Sequence, residues 1–323
     1  MNLGWRSSNV PTASQMRQNM IVKWLSPPDP SVNFKVAHNA KHKGTTLWFT
    51  QSSVFMDWKK SGTLLWIHGM RTSFPSAPGV LPTVFLFRSG FWQERSCVRR
   101  PMKAHLRLVT YISLYITSSA IIQDIERISN TGSAHMAYFF FDFKDTRKQD
   151  SSALLSSILF QLSNQSVTFC DILLKVHSAH QRGSQQPSDT PLIQCLETMF
   201  RVPGEVPTYI VIDALDECPD TSKVPSTRSP REEVLELVKK LVELCLPNLR
   251  ICITSRPVVD IRNIIEPLAP SPNYISLHDE EGQKKDIDDY INSVVYSDAK
   301  MMKWREEDKK LVIQALSDGA RGM

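Results

Sequence analysis

Residues Thr208 to Cys218 read TYIVIDALDEC, an apolar, β-branched run that stops abruptly at three carboxylates, Asp213, Asp216 and Glu217. A continuous apolar run describes a strand buried on both faces, the situation of a parallel sheet covered by helices. In an open α/β sheet the ligand lies just outside the carboxyl ends of the strands. The pattern D-x-x-D-E therefore presents Asp213 to a metal ion or phosphate, with Asp216 and Glu217 beyond it. A core strand followed by an acidic turn is the plainer alternative, and the combination of apolar run and acidic triplet favours a nucleotide site.

The flanking chain repeats the alternation of strand and helix. Apolar runs at Thr63 to Gly69, Met136 to Phe143, Leu249 to Thr254 and Asn273 to Leu277 read as further strands. Between them Ser118 to Ile125, Asp150 to Gln165, Cys170 to His180, Pro191 to Phe200 and Glu232 to Leu246 read as helices, with Asp150 as an N-cap. Five strands alternating with helices specify an α/β fold, a three-layer, doubly wound parallel sheet with helices on both faces. Helical segments are expected on either side of it. Residues 1–20 read as disordered. Residues 21–62 form a helical lead-in whose Met20 to Leu25 helix end is stopped by Ser26-Pro27-Pro28-Asp29-Pro30. The nucleotide-binding domain spans 63–277, and 278–323 begin a truncated C-terminal helical segment with helices at Asp286 to Tyr296 and Glu306 to Leu316. Within the lead-in, Leu47, Trp48, Phe49, Phe55 and Trp58 are expected to be the packing side of a short strand and helix closing over the sheet.

The first strand is where a phosphate loop should follow. G-x-x-x-x-G-K-[ST] would set backbone N–H groups and a Lys around the β- and γ-phosphates. The chain instead reads Gly69-Met70-Arg71-Thr72-Ser73-Phe74-Pro75, and G-K-[ST] occurs nowhere in it. The whole stretch Met70 to Thr117 is foreign in composition: seven basic residues against the single acid Glu94, four prolines and no clean period. It is expected to pack poorly, or to form at most a loose helix near its end. Its local charge of +6 exceeds the net +5 of the 323-residue chain, leaving −1 elsewhere, so no basic face for nucleic acid is implied.

Neither a leader pattern nor an uncharged apolar run of about 18 residues is present, so no membrane partner is expected. The six cysteines lack C-x-x-C spacing and read as free thiols of a reducing, cytoplasmic setting.

From about Trp24 to Met323 the sequence resembles the NACHT-type P-loop NTPases of the STAND class, and among them the nephrocystin-3-like N-terminal modules of fungal NOD-like receptors. The residues that carry this are WLSPPDP (Trp24 to Pro30), GTTLWF (Gly44 to Phe49), LLWIHG (Leu64 to Gly69), YFFFDF, YIVIDALDEC, ITSRP, DIDDYI and the later W-x-x-E-D (Trp304 to Asp308). The resemblance makes YIVIDALDEC a Walker B motif. It implies Mg²⁺ and ATP or GTP as cofactors, Asp213 as the metal-site acid, Asp216 and Glu217 as a catalytic acidic pair that orients or deprotonates water, and Arg256 as the sensor of the terminal phosphate. Arg256 in a structural ion pair is the competing reading. Gly69 and Ser255 are the expected cofactor-binding residues beside them. Partners implied are further copies of the chain or effector proteins, and such modules usually continue into winged-helix and ankyrin, WD or TPR repeats.

The missing loop has a candidate origin. The codons of Gly90 to Cys97, read one base later, can spell Gly-Ser-Gly-Lys-Ser-Val-Leu; the third residue is forced to Gly because Trp has one codon. Met70 to Thr117 is accordingly read as unspliced or frameshifted sequence inside an otherwise intact module. Two functions follow: a nucleotide-operated signalling switch, inactive here for want of its loop, or a non-catalytic interaction remnant.

Overall fold

The computed structural model describes residues 12–40, 45–69, 114–180, 187–222, 227–277, 279–299 and 301–321. Five strands form one all-parallel sheet: β1 (Leu64–His68), β2 (His135–Phe140), β3 (Thr208–Asp213), β4 (Leu249–Ser255) and β5 (Tyr274–Ser276), in the order β2-β3-β4-β1-β5. Every residue of β1, β3 and β4 is buried, as their unbroken apolar runs require. The acidic strand β3 lies inside the sheet but off its centre; β4 holds the middle, between β3 and β1.

Helix α5 (114–129) follows β1 in space and sets Ile121, Ile122 and Ile125 against Leu65, Ile67, Val211 and Cys252 on one face of the sheet. The opposite face, built on Leu64, Trp66, Phe139, Ile210, Ile212, Ile251 and Ile253, is covered by α6 (Ser151–Ser163), α7 (Val167–Ala179), α8 (Asp189–Phe200), α9 (Pro230–Glu243) and α10 (Val259–Ile265). Alternate residues of each strand thus serve the two faces. Asp150 caps α6 by accepting from the Ala153 amide at 2.8 Å, and Ser229 with Glu232 closes a capping box on α9.

Three expectations are corrected. Residues 13–20 are not disordered: α1 (Ala13–Leu25) begins there, because Thr12 and Gln15 satisfy each other's backbone amides in a capping box. Residues 1–11 lie outside the described residues. The lead-in holds no strand among the described residues; α2 (Ser31–Ala40) is followed by two short helices, α3 (Leu47–Thr50) and α4 (Ser53–Ser61), the latter started by the Ser52 hydroxyl accepting from the Phe55 amide. Phe49, Phe55 and Trp58 pack on the α5 face as expected, whereas Leu47 points outward. Finally, Met70 to Thr117 does carry a helix at its end, as expected near Leu106 to Thr117, but not a loose one. Residues 114–117 open α5, with Ile116 and Thr117 buried; residues 70–113 lie outside the described residues.

The C-terminal segment is a hairpin of α11 (Glu281–Ser297) and α12 (Glu306–Arg321) with a small core of its own, Ile291, Val295, Met301, Val312 and Leu316. The cysteines Cys170, Cys195, Cys218, Cys245 and Cys252 are all unpaired. Among the described residues no helix is long and apolar enough to cross a membrane.

Trp58 is fully buried, with its ring 5.6 Å from that of Phe55 and 5.7 Å from that of Tyr209. Trp58→Ala should lower unfolding free energy in urea by about 3–5 kcal/mol. Leu47→Ala should change it by less than about 0.5 kcal/mol, since Leu47 is half exposed and covers no core.

Candidate functional site

The strand order decides where a site can form. From β1 the chain crosses to the far edge strand β2 by way of α5 on one face. From the adjacent β4 it crosses the other way, to β5, by α10 on the opposite face. Neighbouring strands whose onward connections diverge leave a crevice at their carboxyl ends. Gly69 follows β1 there, its amide directed at the Ser255 carbonyl at 3.4 Å. Asp213 ends β3 one strand further, so Gly69, Ser255, Arg256, Asp213, Asp216 and Glu217 all gather at one edge of the sheet.

Asp213 is wholly buried. Its Oδ1 accepts from the Thr254 hydroxyl, while its Oδ2 has no hydrogen-bond partner among the described residues. Burial pushes its carboxyl up to about 7; the Thr254 hydrogen bond and the nearby Ser118 hydroxyl work in the opposite direction, and the charges of Glu217 and Asp216 add to the rise. The backbone then turns through Ala214, which takes a left-handed conformation with φ 54° and donates its amide to the Thr254 oxygen at 3.3 Å. A short 3-10 turn, Leu215–Glu217, carries the two outer acids.

Asp216 is almost fully buried and is gripped by Arg256, whose backbone amide and Nε reach its two carboxylate oxygens at 2.8 and 2.5 Å. The ion-pair reading of Arg256 is therefore the arrangement seen. Glu217 accepts from the Phe143 amide at 3.2 Å, tying the acidic turn to the loop after β2. Ser255 turns its side chain into the α6–α10 face, where its hydroxyl accepts from the Trp66 indole at 2.9 Å. Only its carbonyl is directed to Gly69.

Three contributors escaped the sequence reading. Thr254 and Ser118 flank Asp213, and alternation along β4 could have found the first, since Cys252 and Thr254 share a face. Arg231 is buried in the first turn of α9 and donates to the carbonyls of Cys218 (2.9 Å) and Asp216 (2.8 Å) and to the Asp260 carboxylate (3.0 Å). A cation at a helix N-terminus opposes the helix dipole. That misfit in SPREE was the available signal for a tertiary role.

His68, at the end of β1, is buried between the rings of Trp66 and Tyr274, and burial holds its imidazole down at about 4, with Arg262 acting in the same direction. It is neutral at physiological pH. As a test for a bound cation, the buried, unpartnered Oδ2 of Asp213 is the acceptor that fits; Asp216 is already neutralised by Arg256. No group of three or more His, Cys, Asp or Glu side chains among the described residues is placed to hold a metal ion. Mg²⁺ needs only one or two carboxylates when phosphate oxygens complete its shell. Beside Gly69 stands Leu114, 3.7 Å from where a Cβ would lie, and no lysine follows it in the opening turn of α5.

The linkage of Asp213 to stability has a definite sign. Its folded-state value lies above the ordinary 3.8. The folded state therefore loses stability as pH rises from about 4 through about 7, by an amount on the order of 4 kcal/mol. Asp213→Asn should accordingly stabilise the protein at pH 8 while leaving its stability near pH 4 close to that of the parent. Chemical denaturation of both proteins at the two pH values checks this, and equal stabilities at pH 8 would contradict it.

No curated protein matches the chain. Residues 115–256, running from the first turn of α5 to the Arg256 that grips Asp216, match the family model described as nephrocystin 3, N-terminal, so the segment that builds this edge is similar to that family.

Proposed function

We propose that this fold is a NACHT-type nucleotide-operated switch module of the STAND class, bearing ATP or GTP with Mg²⁺ at the carboxyl edge of the sheet, and that the chain as it stands is inactive because its phosphate loop is missing. The observation that carries the reading is the buried Asp213 with an unpartnered oxygen, one strand from the crevice between β1 and β4. A carboxylate left unpaired in an apolar core is destabilising and needs a reason. A divalent cation bridging phosphates supplies one.

In this reading Asp213 holds the cation, Glu217 and Asp216 act on the attacking water, Arg256 trades its bond to Asp216 for the terminal phosphate, and the Gly69 backbone borders the phosphates. Proximity of Asp216 to Arg256 makes that exchange a short movement of one side chain. The inactivity follows from the opposite side of the crevice. Leu114 stands beside Gly69 where backbone amides and a lysine would be needed, and an apolar side chain offers a phosphate nothing. The Asp213 carboxylate then repels an anion that nothing else clamps. The non-catalytic remnant is the state this chain would occupy under the same reading. Assembly with further copies or effector proteins, and a cytoplasmic setting, belong to the same proposal.

Equilibrium dialysis with ATP and Mg²⁺ should detect no binding at micromolar concentration. Replacing Met70 to Thr117 by a loop of the G-K-P-G-S-G-K-S type after His68 should restore Mg²⁺-dependent binding, and Asp213→Asn in the repaired protein should abolish it. Binding by the unrepaired chain that is lost on Asp213→Asn would mean that another phosphate-binding loop exists.

A further inference from the structure

The lead-in and the C-terminal hairpin meet at a contact whose parts are closely constrained. Asp286 of α11 accepts from the Thr46 amide at 2.6 Å and from the Trp48 indole at 3.0 Å. Gly282, one turn earlier, lies against the same indole so closely that a Cβ would come within 2.3 Å of its ring. Thr46 is buried with φ 67°, a left-handed conformation costly for a β-branched residue and kept only where surrounding contacts impose it. Burial raises the Asp286 carboxyl, opposed by its bonds to Thr46 and Trp48. On the other side Trp48 leans on Phe49, rings 5.6 Å apart, and Phe49 is fully buried in the core of the sheet.

The hairpin itself has a core separate from both faces of the sheet. It is tethered through β5, where the Leu277 amide donates to the His68 carbonyl at 2.8 Å and the Leu277 side chain borders Gly69. A unit with its own core, held by a short strand and a strained polar contact, has the makings of a two-position element.

We propose that Trp48, Gly282 and Asp286 form a latch that docks the α11–α12 hairpin on the α3 segment of the lead-in, and that opening it releases the hairpin from the sheet as a folded unit. Thr46 returns to an unstrained backbone when the latch opens, which favours the open position, while the two hydrogen bonds and the indole contact favour the closed one. The latch involves no nucleotide and stands whether or not one binds.

Hydrogen exchange read by mass spectrometry on the full chain tests this. Asp286→Ala and Trp48→Ala should each speed exchange across 281–317 by about tenfold, with β1, β3 and β4 unchanged. Asp286→Asn, which keeps an acceptor oxygen, should give a smaller rise. Gly282→Ala should act like the latch variants in the parent and add nothing in a Trp48→Ala background, because the clash disappears with the indole. The proposal is overturned if exchange in 281–317 is unaltered, if β1, β3 and β4 accelerate by the same factor, or if Asp286→Asn equals Asp286→Ala. It is likewise overturned if Gly282→Ala is additive with Trp48→Ala.

Discussion

Two adjacent strands, β1 and β4, send the chain away in opposite directions, and the rest of the molecule is arranged by that divergence. Because parallel crossovers are right-handed, the connection that runs one way must lie on one face and the connection that runs the other must lie on the opposite face. Helix α5 and helices α6–α10 occupy those two faces. The crevice left between them is where His68 and Gly69 meet Ser255 and Arg256. Asp213 joins because β3 pairs with β4 in a register that sets Ile212 beside Ile253, bringing the next residues, Asp213 and Thr254, into hydrogen-bond contact. Among the described residues, strand ends and the turns that leave them supply Asp213, Thr254, Asp216 and Arg256, while α5 and α9 bring Ser118 and Arg231 to the same edge.

Much of the fold could be read because its signals are local. Unbroken apolar runs such as LLWIH and LRICITS end within a residue or so of the strands they form, and Asp150 caps the helix it precedes. Lateral order has no such signal. That β4 and not β3 lies in the middle depends on which strands the crossovers skip, which no window of sequence contains. The lead-in misled for a different reason. The spacing of Trp48, Phe49, Phe55 and Trp58 fits a strand and a helix as well as two short helices; the Ser52 hydroxyl marks the start of the second, and no side-chain cap marks the first. At the site, the residue types pointed to the right edge. Their pairing did not follow, because Arg256 and Asp216 are separated by 40 positions and their ion pair is made by tertiary approach.

The junction at residues 114–117 shows packing overriding composition. The stretch before it is basic and proline-rich, with no amphipathic period. Yet Leu114, Ser118, Ile121, Ile122 and Ile125 fall at helical spacing, and Leu114 and Tyr115 pack on the same core as the three isoleucines. Helix propagation costs little once a turn exists. An apolar Leu-Tyr-Ile ahead of Ser118 is therefore drawn into the helix whatever its origin. That gain in burial carries Leu114 to Gly69, at the edge where a charged side chain would be required for phosphate chemistry.

The outer and inner acids of the TYIVIDALDEC motif are treated unequally, and this inequality is the strongest physical argument about the site. Arg256 neutralises the Asp216 carboxylate, and Arg231 holds the backbone of the same turn through the Asp216 and Cys218 carbonyls. Asp213 receives a hydroxyl from Thr254 on one oxygen, and the charges that act on it are the negative ones of Glu217 and Asp216. Replacing a buried acid by an uncharged residue of similar shape commonly leaves a core no less stable. The inner acid is thus a cost to the fold at neutral pH, confined to one buried carboxylate one strand from the crevice. Arg256 holds Asp216 with fixed guanidinium contacts, whereas Asp213 sheds its cost only by taking up a proton as pH falls.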